Sequence, residues 1–117
     1  MSIDQTIERT ALSQLVSNEE YARKVLPHMK GDYFSDRTEK TIFEEIAKFV
    51  DKYKKIPTQT SLEIEVQSRK DLTELDYKKV VEVIKTLKST DVDFDWLCDT
   101  TEKFCKDKAV YNAIVEG

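Results

Sequence analysis

The stretch Asp32–Leu62, DYFSDRTEKTIFEEIAKFVDKYKKIPTQTSL, decides the fold. Within it Thr38, Ile42, Ile46 and Phe49 recur along one side, and Phe43, Ala47, Val50 and Tyr53 along the other. That is the spacing of an α-helix with a broad apolar stripe. Ser35 stands where a side-chain oxygen can accept backbone N–H groups, and Asp36 is favourably placed against the positive end of the helix dipole. The reading is a helix over about residues 36–54. A stripe this wide must be covered by more than one neighbour, so this helix is expected at the centre of the core. After Ile56-Pro57-Thr58, Leu62, Ile64 and Val66 alternate with Glu63 and Glu65, which fits a strand as well as a helix. A single strand would lack a partner, and Thr60 with Glu63 makes a capping pair, so a short helix is expected here.

Toward the amino terminus, residues 3–16 place Ile7, Ala11, Leu12, Leu15 and Val16 on one face, with Glu8 and Arg9 outside it. Asn18 followed by Glu19-Glu20 signals the start of a short helix carrying Tyr21, Ala22 and Val25. Pro27 removes a backbone donor and biases Leu26 away from helical geometry, so that helix should stop near Val25. Toward the carboxy terminus, Thr73 and Glu74 open a helix to about Lys88. Tyr77, Val80, Val81, Ile84 and Leu87 point inward, Lys78, Lys79 and Lys85 outward, and Val83 lies off the stripe.

A last helix is expected from Phe94 towards Val115. Phe94, Leu97, Cys98, Thr101, Phe104, Cys105, Tyr111 and Val115 make one stripe, whereas Trp96, Val110 and Ile114 fall on the opposite side. A helix covered on one side by its own domain can bury a second apolar side only against another chain or domain. With residues 74–88, across the acidic connection Ser89–Asp93, it would form a protruding antiparallel helical hairpin. Trp96, Val110, Ile114 and the exposed side of Val83 are the expected interface residues.

Composition sets bounds on function. Only two Gly and two Pro occur in 117 residues, too little punctuation for an all-β sandwich or barrel. The chain is read as one all-α domain of about six helices, with residues 1–72 a globular bundle and 73–117 the hairpin. A net charge of −4 gives no broad positive field for phosphate backbones, so direct DNA binding is not expected. No run of eighteen apolar residues occurs, and Met1-Ser2-Ile3-Asp4 lacks the basic and apolar regions of a signal peptide. A cytoplasmic location, the host cytoplasm if the protein is viral, is the expectation.

No catalytic, cofactor or metal site is read from the sequence. The phosphate-cradling loop needs two glycines followed by Lys and Ser/Thr, but the glycines here are Gly31 and Gly117. Asp91, Asp93, Asp95 and Glu102 copy the carboxylate spacing of a calcium loop, yet Trp96 occupies the position where the turn requires Gly. Adjacent carboxylates such as Glu44-Glu45 and Glu19-Glu20 diverge by about 100° on a helix. Cys98 and Cys105 lie about 10 Å apart along one helix and read as free thiols, and with a distant His28 they make no zinc spacing.

The order of landmarks resembles the amino-terminal domain of DnaB-type replicative hexameric DNA helicases, and within that family the T-even-phage branch. The resemblance rests on the apolar side Glu8–Val16, the aromatic pair Tyr33-Phe34, Arg37–Lys40 before Ile42-Phe43, Pro57-Thr58 before Leu62, and Trp96-Leu97 ahead of Thr101-Glu102-Lys103-Phe104. Its last part is Lys108-Ala109-Val110-Tyr111-Asn112-Ala113. It covers nearly all of the chain, although none of these landmarks is a catalytic signature. It implies a domain that pairs through its hairpin and forms a collar, a trimer of dimers, above a ring of ATPase domains, and that receives the primase and, in phages, a loader protein. ATP and Mg are implied only for a motor domain outside these residues. The rival reading is a stand-alone phage helical adaptor or inhibitor protein that binds another enzyme.

Overall fold

A computed structural model describes the backbone of residues 3–88 and 91–116. Among these residues there are six α-helices and two 3-10 turns: α1 (Ile3–Leu15), α2 (Glu19–Val25), turns at Leu26–His28 and Gly31–Tyr33, α3 (Arg37–Tyr53), α4 (Gln59–Gln67), α5 (Glu74–Thr86) and α6 (Phe94–Glu116). The all-α expectation holds, and residues 59–67 are helical despite their alternating apolar pattern. Ser89 and Thr90, the first half of the acidic connection, lie outside the described residues, as do Met1, Ser2 and Gly117.

Helix α3 is the centre. It contacts α1 on one side and α4 and α5 on the other, and the Gly31–Tyr33 turn also rests on it. Ile42 and Ile46 are fully buried, and the Phe34 and Phe43 rings stack with centroids 5.0 Å apart. The second layer differs between the two sides. α2 packs on α1, and α6 packs on α2, on α1 and on the Gly31–Tyr33 turn; α5 packs on α3 and α4. One apolar core runs through both sides, from Leu12, Leu15 and Tyr21 to Leu62, Val80 and Ile84.

The caps differ from those expected by sequence. The α3 cap is Asp36, whose carboxylate accepts the N–H groups of Thr38 and Glu39 at 2.7 and 3.3 Å, not Ser35. Ser35 is taken by another partner, described below. Helix α4 is capped by Thr58, which accepts the Ser61 N–H at 3.0 Å, two residues before the anticipated Thr60. At the other end of α3, Lys54 takes the left-handed conformation, φ 59°, with its N–H donated to the Val50 carbonyl. Asn18 and Thr73 cap α2 and α5 as expected.

The last two helices also differ from a hairpin packed along its length. They follow one another in the chain, but the stripe of α5, with Val80, Ile84 and Leu87, is buried on the α3/α4 side. The stripe of α6, with Leu97, Cys98, Thr101, Phe104 and Cys105, is buried on the α1/α2 side. The physical reason is that α3 stands between these two surfaces. Two long-range ties complete the α4/α5 side. Arg69 bridges Glu45 at 3.3 Å and Asp71 at 2.7 Å, holding the Asp71 carboxyl down at about 2. The Gln59 amide donates to the carbonyls of Ile84 and Leu87 at the end of α5.

The α6 stripe is fixed by one buried polar contact, 2.7 Å between the Tyr21 hydroxyl and Thr101 Oγ1. Removing one partner strands the other in an apolar site, whereas replacing both by apolar groups of similar shape is nearly neutral. Tyr21→Phe is expected to cost about 1–3 kcal/mol in urea unfolding, and Tyr21→Phe with Thr101→Val to recover most of it. Ile46→Ala at the centre should cost about 2–5 kcal/mol, and Ile64→Ala on the exposed side of α4 less than about 0.5 kcal/mol.

Candidate interaction surface on the last helix

Helix α6 outruns the bundle that holds it. Up to Cys105 its inner stripe is covered by α1 and α2. From Lys106 to Val115 no residue is fully buried, and one side rests on the Gly31–Tyr33 turn, where Asn112 Nδ2 donates to the Asp32 carbonyl at 3.2 Å. The other sides of this segment carry Val110, Tyr111, Ile114 and Val115, which are 61%, 61%, 74% and 65% exposed. Tyr111 and Val115 were expected on the covered stripe. Their periodicity does match it, but beyond Cys105 the stripe is no longer buried.

Trp96, Val110 and Ile114 share one flank of α6, as expected, and all three are exposed, Trp96 by 54%. Between these apolar ends the same flank carries Lys103 and Asp107, which form an ion pair at 3.2 Å. The order along the flank is therefore apolar, cation, anion, apolar. The rise of 1.5 Å per residue separates Trp96 from Ile114 by about 27 Å. Val83 does not join this flank. It sits on α5, partly buried against the core.

Two concavities border α6. A groove of about 690 Å³ between α6, α1 and the start of α3 is lined by Ile7, Ser35, Phe104, Lys108 and Tyr111. The Lys108 ammonium lies 5.7 and 5.9 Å from the Phe104 and Tyr111 ring centres. A smaller cavity of about 130 Å³ brings His28 beside Cys98 and Cys105, an approach their separation in sequence hides. Both thiols are free, and burial pushes the pKa of each upward, that of Cys105 to about 11, which keeps them protonated and unreactive. Among the described residues no group of three or more His, Cys, Asp or Glu side chains could hold a metal ion. Asp93 accepts the Trp96 N–H at 2.8 Å, a capping contact at the start of α6.

One polar cluster was read wrongly. Glu8, expected outside the apolar face of α1, is fully buried, and so is Glu39 on α3. The Glu8 carboxylate accepts the N–H and the hydroxyl of Ser35, both at 3.1 Å, which is why Ser35 does not cap α3. Arg9 Nε donates to Glu39 Oε1 at 2.6 Å, and Glu39 Oε2 has no hydrogen-bond partner among the described residues. Burial, then the neighbouring Glu8 carboxyl, pushes Glu39 up to about 7 against the opposing pull of Arg9. At 100° per residue Glu8 falls in line with Ala11, Leu12 and Leu15, and Glu39 with Ile42, Phe43 and Ile46, so the spacing itself carried the sign that both acids face inward.

Among the described residues no helix is long and apolar enough to cross a membrane. The DnaB-like helicase N terminal domain family matches residues 1–98. A DnaB-like replicative helicase of Enterobacteria phage T4 is 31% identical over 102 residues, which make up 87% of this chain and 21% of that protein. The chain thus spans about a fifth of the length of this relative. With six helices among the described residues, arranged around α3, and a family match that takes in every element up to the first turns of α6, the chain belongs to the DnaB-like helicase N-terminal domain family.

Proposed function

We propose that this chain is the oligomerisation and primase-docking domain of a phage replicative hexameric DNA helicase, acting in DNA replication and performing no catalysis itself. The observation that carries this reading is the outer flank of α6. Its order of apolar, cation, anion and apolar groups is self-complementary when two copies run antiparallel. A two-fold axis near Cys105 would set Trp96 of one copy against Ile114 of the other and Lys103 against Asp107, the same patch serving both subunits. Val110 would extend the apolar end of each copy. Family membership and the phage relative support the replicative setting. ATP and Mg would be used by a motor domain, not by these residues. Primase, and a loader protein in phages, would use collar surface left free by self-pairing.

Sedimentation velocity at tens of micromolar tests the pairing. The wild-type chain is expected to show dimers or larger species, and Trp96→Asp or Ile114→Asp to shift it to monomer with an unchanged helical circular dichroism spectrum. Lys103→Glu alone should weaken the dimer, and Lys103→Glu with Asp107→Lys should restore it. A wild type that stays monomeric at these concentrations removes self-pairing for the isolated domain. Affinity capture of the primase from the same replication system, compared between wild type and Trp96→Asp, tests docking separately.

The net charge of −4 leads to a further expectation. Mobility-shift assays at low salt with single- or double-stranded DNA should show no complex. A shift that weakens steeply as salt is added would reveal phosphate contacts and overturn the view of this domain as a protein-binding collar.

A further inference from the structure

Glu8 and Glu39 come from different helices, thirty-one positions apart, and both are fully buried. Buried carboxylates need compensation by donors or cations. Among the described residues three donors are in view, all of them committed. Glu8 takes the backbone and side-chain donors of Ser35, and Glu39 Oε1 takes Arg9, whose own side chain is one-third exposed. Glu39 Oε2 is left without a donor beside a second acid. Two charged carboxylates there would repel each other with one cation between them. A single proton on the pair supplies the missing donor and removes the repulsion.

We propose that the buried Glu39 carboxyl holds a proton on the side of its unpartnered oxygen, facing Glu8, and that this proton fastens α3 to α1 and to the Ser35 segment. The charged groups acting on Glu39 are Glu8 and Arg9, both on α1. From α6, Lys103, Asp107 and Lys108 line the groove whose wall includes Ser35 and Ile7, one shell further out. On α3, Lys40 is engaged by Asp32, and Asp36 caps its own helix. Among the described residues no second cation pairs with Glu39. The fastening therefore depends on pH.

The direction follows from which state holds the proton. The unfolded carboxyl has the ordinary value of 4.5 and the folded one about 7. Between these values the folded chain binds more protons than the unfolded one, so stability falls as pH rises. The contribution is complete below about 4.5, is lost progressively as pH rises, and is gone above about 7. Glu39→Gln carries a permanent donor at the place of the proton, so it should lack this slope.

Carbon-13 NMR of glutamate side chains in the wild-type chain reads the pair directly. One buried carboxyl signal is expected to titrate near pH 7, and titration of every carboxyl below about pH 6 would overturn the proposal. Thermal unfolding between pH 5 and pH 8 gives the second measurement. The wild type should lose at least about 5 °C more than Glu39→Gln across that range, and the variant should be no less stable than the wild type at pH 8. Parallel profiles for the two proteins would likewise overturn it. If Glu39→Gln fails to fold, the NMR titration decides alone.

Discussion

Helix α3 is buried from two sides, and most of the architecture follows from that constraint. Its apolar residues are spread too widely around the axis for one neighbour to cover, so α1 takes one side and the α4/α5 pair takes the other. Each of those layers then determines what comes next. α2 and α6 stack on the α1 side, and the carboxy-terminal helices are parted because α3 stands between their supports. The chain is continuous from α5 to α6, but the packing is not. Helix α6 is consequently held mainly along its first half, and its final turns rest on the Gly31–Tyr33 turn and border the groove shared with Ile7 and Ser35.

Much of this was legible from residue spacing. The stripes of α1, α3, α5 and α6 each repeat at helical period, and Pro27 ends α2 where a missing N–H demands it. Trp96, Val110 and Ile114 were recognisable because they fall opposite a stripe that had to be inward. What spacing cannot give is how far a platform extends. Tyr111 and Val115 continue the inward pattern of α6 past the point where anything covers them. Their exposure depends on what packs around them, which their own spacing does not encode. Similarly, Ser35 looked like a cap because its own neighbourhood allowed it, and only the arrival of Glu8 from α1 diverts it and passes the cap to Asp36. Glu8 and Glu39 each stand in register with an apolar stripe, so their inward direction was legible; that the two meet was not. Burial of an acid depends on a donor that sequence distance conceals.

The division of labour within α6 links fold to function. The half before Lys106 belongs to the core, tied by Tyr21 to Thr101, and sets the direction of the helix. The half after it carries apolar groups outward in that direction. The buried first half fixes the direction of the second, so the exposed apolar groups are carried on an already formed helix. An acidic overall charge is compatible with the proposed role, because protein surfaces, unlike phosphate backbones, require no broad positive field.

The Gln59 side chain, reaching from the first turn of α4 to the last carbonyls of α5, has a consequence for how the domain can vary. It brings the entrance and the exit of residues 59–87 together, so this segment is a closed excursion whose ends meet on α3. The turn between α4 and α5 is not free within that excursion, because Arg69 and Asp71 tie it back to Glu45 on α3. Inserted sequence there would leave the remaining helices undisturbed only where it keeps that bridge.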